Sequence, residues 1–220
     1  MNVYQKNISQ ILKVGLYVVL GHIPIFAVMA SYFGTEMSIA IMGPLLLGLG
    51  QFFIPKLFKS LELGAVLMGF TSIALSALMI HLGKGMIEWH FHIFIMIGIL
   101  SLLATPFTII SAAVTAAVHH LAFYFLIPES IFNYKASLGI VAIHAGFVVV
   151  EAIACTFLAY RFKKVLELQE QINRDIAPLV HSIDHASKVS SESCVSLLEH
   201  SDANSSSITE ISATAEEISQ

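Results

Sequence analysis

Six long apolar runs constrain this chain more than anything else in it. They cover residues 11–33, 37–54, 63–82, 89–104, 107–127 and 138–160. A helix needs about 20 mostly apolar residues to cross about 30 Å of hydrocarbon. Each run therefore reads as a spanning helix, the fourth being the shortest. Turn and breaker sequences separate them: Gly34-Thr35-Glu36, Pro55-Lys56, Gly83-Lys84-Gly85, Thr105-Pro106 and Pro128-Glu129-Ser130. Charge is scarce, at 12% of residues against about 25% in soluble domains, and the chain turns polar only after Arg161. The pattern predicts an all-α membrane protein with two parts, a six-helix transmembrane domain over 1–162 and a cytoplasmic helix over 163–220. The first run is too long for a cleaved signal and has no convincing small-residue cleavage site, so it is read as a retained anchor.

Lysine and arginine orient the spans. With six crossings both termini share a side, which carries Lys6, Lys13, Lys56, Lys59, Arg161, Lys163 and Lys164, against Lys84 and Lys135 opposite. The positive side is cytoplasmic. A net charge of −4 suggests no nucleic-acid partner, and Cys155 and Cys194 lie in different parts, which argues against a disulfide framework.

Seven of the ten histidines precede Arg161: His22, His81, His90, His92, His119, His120 and His144. Ionisable groups inside spans are costly and mark functional sites. At about 1.5 Å per residue, His92, His119, His120 and His144 lie roughly 6–13 Å below the outer surface, with His22 slightly deeper. One intramembrane imidazole is accounted for by a hydrogen bond to a neighbouring carbonyl, and His81, His90 and Trp89 also suit the interface. Five imidazoles at one depth on four helices point instead to a shared centre. His90 and His92 point about 200° apart, and His119 and His120 about 100° apart, so one of each pair is expected to face the bundle centre. Neutral imidazole suits zinc, copper, iron or haem iron. The expected ligands are His92, His144 and at least one of His119 and His120, with His22 and His90 as further ligands. The cofactor is a bare transition metal (copper, zinc or iron) or haem b, and two centres are compatible with so many imidazoles. Glu88, four residues before His92, and Glu151, two turns below His144, are the expected orienting or relay carboxyls. Pro24 should free a carbonyl near Leu20, beside His22. Small residues such as Gly64, Gly69, Ala112, Ala113, Ala116, Ala117, Ala142 and Ala145 permit close helix approach, or equally leave room for a flat macrocycle.

The sixth run continues without a loop into a 4-3 seam, from Leu168, Ile172, Ile176, Leu179 and Ile183 to Ile208, Ile211, Ala215 and Ile218. This is a coiled-coil pattern with a polar middle, and it needs a partner, most simply a second copy in a parallel homodimer. Pro178 is expected to kink or break the helix. The pattern stops in mid-course at Gln220, so a longer protein is expected.

The segment Ile208-Thr209-Glu210-Ile211-Ser212-Ala213-Thr214-Ala215-Glu216-Glu217-Ile218-Ser219-Gln220 resembles the start of the signalling helix of methyl-accepting chemotaxis receptors. Trp89-His90-Phe91-His92-Ile93-Phe94, Ala117-Val118-His119-His120-Leu121-Ala122-Phe123 and Ile143-His144-Ala145-Gly146-Phe147 through Glu151-Ala152 resemble a histidine-rich six-span sensor module found ahead of such output domains. The resemblance implies a bacterial inner-membrane receptor signalling through a chemotaxis adaptor and a histidine kinase. It carries no linker module of paired short helices and no large outer domain. The competing reading is a histidine-ligated membrane metalloenzyme or metal transporter. Against an enzyme, the chain has no Ser/His/Asp set, phosphate loop or Cys-x-x-Cys, and the coiled-coil extension would serve no catalytic purpose. Against a transporter, the histidines are confined to one half of the membrane.

Overall fold

The structure, a computed structural model, describes residues 1–218. Among these there is no strand. The helices are α1 (Val3–Phe33), α2 (Met37–Leu57), α3 (Leu61–Leu82), α4 (Ile87–Leu100), α5 (Pro106–Leu126) and α6 (Leu138–Ile218), with short 3-10 turns at Ser101–Leu103 and Pro128–Ser130. Five of the six helices are long and apolar enough to cross a membrane; the apolar stretch Ile87–Leu103 is shorter. The chain divides into two compact units, Met1–Gln169 and Glu170–Gln220.

Local chemistry explains most boundaries. α1 begins eight residues earlier than its apolar run because Asn2 and Gln5 form a reciprocal capping box. It stops at Gly34, whose φ of 63° suits a residue without a Cβ. Ser60 caps α3 by accepting from Leu63 N, and Pro106 opens α5 at a position where its missing N–H is not needed. Two prolines behave differently from expectation. Pro55 was expected to end the second run, yet α2 continues through it to Leu57. Pro178 does not break α6, which stays helical through it. A proline costs a helix one hydrogen bond and some steric relief, which a long helix absorbs without ending. Ser219 and Gln220, the end of the segment that resembles a signalling helix, lie outside the described residues.

In the first unit α3 is the central helix. It packs closely on α1, α2, α4 and α5, whereas α6 makes almost no close backbone approach to the bundle. Its middle residues Gly69, Thr71, Ser72, Ile73, Leu75 and Ser76 are all buried. Gly69 lets α5 come so near that a Cβ there would meet the Thr108 carbonyl oxygen at 2.3 Å. The buried residues of α6 are Val141, Val148, Cys155, Ala159 and Leu166. Polarity is inverted relative to a soluble bundle. Tyr17, Val28, Phe91, Phe107 and Phe125 are more than half exposed, while Gln51, Thr71, Ser72, Ser76 and four histidines are buried. Gln51 donates to the Gly64 carbonyl at 3.0 Å and accepts from Thr71 at 3.3 Å, while the buried Thr108 hydroxyl has no partner.

The α1–α2, α3–α4 and α5–α6 connections meet at one end of the bundle. Thr35 Oγ1 donates to the Leu82 carbonyl at 3.2 Å and Asn133 N to the Gly85 carbonyl at 3.1 Å. Gly85, at φ 69°, lies against the backbone of Ile131 and Phe132, where a Cβ would clash at 2.7–2.8 Å. The α5–α6 connection is thereby held down, with Ile131 and Phe132 buried.

Candidate metal centre

The histidines separate into two groups on opposite faces of α4. His92 faces α1 and α3. Its Nε2 lies 3.2 Å from His22 Nε2, and its Nδ1 lies 2.8 Å from Ser76 Oγ. His22 Nδ1 lies 2.7 Å from the Val18 carbonyl. A carbonyl only accepts, so His22 carries its proton on Nδ1 and offers a lone pair at Nε2. His92 then donates from Nε2 and accepts from the Ser76 hydroxyl. The chain runs Ser76, His92, His22, Val18, with the Ser76 hydroxyl shared between His92 Nδ1 and the Ser72 carbonyl at 3.1 Å. It ties α3, α4 and α1 together.

His90 faces the other way. Its ring centroid lies 5.5 Å from that of His120 on α5 and 5.6 Å from that of His144 on α6; the last two are 6.4 Å apart. Each of the three is set by the same local device. Nδ1 hydrogen-bonds the carbonyl one turn earlier in its own helix: Met86 at 3.2 Å, Ala116 at 2.9 Å and Ile140 at 3.0 Å. This places the proton on Nδ1 and leaves a lone pair on Nε2 that a metal could take, with the ring oriented by an acceptor behind it. His90 Nε2 is buried without a hydrogen-bond partner. The three rings border a cavity of about 170 Å³ between α4, α5 and α6, walled by Ala117, Ala145, Val148 and other carbon-rich side chains. Phe132 covers this group, stacked on His90 at 5.7 Å and edge-on to His144 at 5.6 Å.

Among the described residues no three His, Cys, Asp or Glu side chains form a closed metal site as they stand. The spacing nonetheless suits a bare ion. With metal–nitrogen bonds of about 2.0–2.1 Å, ring centroids in a three-imidazole site lie about 5.2–5.5 Å apart, so a small inward movement of His120 and His144 suffices. A haem fits poorly. The cavity is smaller than the roughly 300–1,000 Å³ of drug-sized pockets, and a macrocycle between His120 and His144 would displace His90, whose ring contacts both.

The remaining expected residues fall as follows. His119 is 7% exposed and neither ring nitrogen has a hydrogen-bond partner, although each such buried group costs about 1–3 kcal/mol. Its ring sits 5.1 Å from His120 and 4.7 Å from Phe123. Glu88 is exposed, and His92 takes Ser76 rather than Glu88 as its partner. Glu151 keeps one buried carboxyl oxygen without a partner. The carbonyl that holds His22 is that of Val18, one turn earlier in α1. Sequence reasoning missed Ser76 and Phe132. Ser72 and Ser76, one turn apart in an apolar span, were a signal for the first. Phe132 lies in a loop and offered none.

No family model, curated protein or solved structure matches this chain.

Proposed function

We propose that this chain is the input end of a bacterial transmembrane receptor, with a bare transition-metal ion held by Nε2 of His90, His120 and His144. The observation that carries this reading is that three helices bring imidazoles to within 5.5–6.4 Å of one another around one cavity, each with Nδ1 engaged by its own helix. An ion there would supply a Lewis-acidic centre whose state, or whose remaining coordination position, can change. The three imidazoles do the rest: they draw α4, α5 and α6 to a common point. α6 carries both His144 and the seam from Leu168 to Ile218, and a shift or rotation of α6 at His144 is the signal assigned to the centre. The loose seating of α6 makes such a shift cheap. Elemental analysis with an absorption spectrum tests this. One metal per chain without a Soret band is expected; metal-free protein, or a Soret band, overturns the bare-ion site. The enzyme and transporter readings gain no specific support from the geometry.

Membrane insertion is supported by the apolar perimeter and the buried polar groups, since lipid rewards that inversion and water does not. Six crossings require α4 to span. With its 3-10 turn it is about 27 Å long, enough with slight local thinning of the bilayer. Both termini are then cytoplasmic. Cysteines placed at Lys84 or Lys135 should react with an impermeant thiol reagent added from outside, and a cysteine at Lys56 should not; the reverse pattern would invert the topology.

The seam pairs in a parallel homodimer, handing the signal to a chemotaxis adaptor and histidine kinase. Among the seam residues Leu168, Leu179, Ile183, Leu197 and Ile211 are more than half exposed in the single chain, so a partner is required to cover them. Disulfide trapping with a cysteine moved one residue at a time from Cys194 should rise and fall with a 3-4 period. A flat profile would exclude a defined coiled coil.

A further inference from the structure

Where the three connections meet, an open vestibule of about 1,090 Å³ lies against the histidine group. Glu36, His81, Glu129, Ser130 and Phe132 line it, together with Lys84 and Lys135. His81 Nε2 stands 3.6 Å from a Glu36 carboxylate oxygen, and its Nδ1 is 2.7 Å from Ser130 Oγ. An imidazole and a carboxylate side by side at a solvent-open floor are a ligand pair for a first-row divalent cation. His119, on α5, is in ring contact with His120 and with Phe123. It is the best-buried imidazole whose two nitrogens are both unpartnered, and a group kept that way at a cost in stability has a use elsewhere. Phe132 separates the vestibule from His90 and His144, contacting both rings. The two lysines and two glutamates of the vestibule cancel in charge, so a cation would be held there by ligation and not by a long-range field.

We propose that the vestibule is a loading site for a divalent transition-metal ion, taken up by His81 and Glu36 and passed by His119 to His90, His120 and His144, with Phe132 blocking the direct way. This rests on the three-imidazole centre proposed above and adds its source and route: the ion comes from outside the cell, and His119 is a stop on the way instead of a final ligand. Metal exchange of this kind is a ligand-for-ligand transfer with no change of oxidation state, any proton on an accepting nitrogen leaving to water as the ion binds.

The test uses the full chain, stripped of metal, in lipid nanodiscs with both faces accessible. Cobalt(II) is added, loading is stopped at intervals with a chelator, and bound cobalt per chain is followed to completion. His119→Phe and His119→Gln are each expected to slow loading about tenfold while reaching the same final content, and His81→Ala to slow it likewise. Phe132→Ala is expected to accelerate it. Loading of both His119 variants at the native rate would overturn the route, and so would a lower final content in both, which would make His119 a ligand. His144→Ala separates the two ideas. If it binds cobalt in full, the three-imidazole centre itself fails and the route with it; if it loses cobalt while the His119 variants load normally, only the route fails.

Discussion

Replacing His144 with alanine is expected to empty the metal centre and silence the output, while the chain still inserts and pairs. In the proposed centre His144 is one of three nitrogen ligands. Altering even an orienting neighbour of a metal ligand weakens binding about 10–100-fold, so removing the ligand itself should cost about a hundredfold or more. The helix will tolerate the change. Alanine is the best helix former, and His144 is only half-buried at the edge of an apolar cavity. The lost interactions are its ring contacts with His90, His120 and Phe132. Metal content by elemental analysis and kinase output in cells are the readouts. The matching control is His92→Ala. Sequence reasoning places His92 among the ligands, but its nitrogens are engaged by His22 and Ser76. That variant should keep its metal and lose stability, because His22 Nε2 and the Ser76 hydroxyl lose their shared partner. Metal loss in His92→Ala with retention in His144→Ala would exchange the roles of the two groups.

Gly69→Ala should destabilise the bundle by about 3 kcal/mol. The added Cβ would stand 2.3 Å from the Thr108 carbonyl oxygen and 3.2 Å from Ala112 N. Both are backbone atoms of α5 and cannot rotate away, so α3 and α5 must separate along their closest contact. In lipid that contact supplies the cohesion, since helices gain nothing from burying carbon away from carbon. Gly98→Ala and Gly21→Ala are the controls: nothing lies within 4 Å of a Cβ at either site, and helix propensity alone would favour alanine by about 1 kcal/mol. Thermal unfolding in detergent, followed by Trp89 fluorescence, should show a lower midpoint for the first variant and none for the controls. Equal midpoints would mean that α3 and α5 are not as close as described. Because α5 carries His120, the first variant should also bind metal more weakly.

How much of this was legible beforehand differs between the elements and the site. The helices were legible because their causes are local. An apolar run, a capping Asn2, a Gly34 able to take positive φ and a Pro106 at a helix start act within a few residues of themselves. The departures are local as well: α2 runs through Pro55, α6 is not broken at Pro178, and the Asn2–Gln5 capping box starts α1 early. The histidines were legible as a set at one depth, because depth is a count of residues along a helix. Their opposite facing on α4 was also legible, because His90 and His92 are two residues apart.

Which of the two faces meets which neighbour could not be read from the chain. That depends on how each helix is rotated, and rotation is decided by contacts between distant residues. Gly69 seats α5 against α3, Ser76 claims His92, and Gly85 holds down the connection that brings Phe132 over His90 and His144. Depth and helical phase are properties of one segment and belong to the sequence. The division of the imidazoles into a closed hydrogen-bonded pair and an open group of three belongs to the packing of six segments at once, because an imidazole's chemistry is set by the one partner its second nitrogen finds.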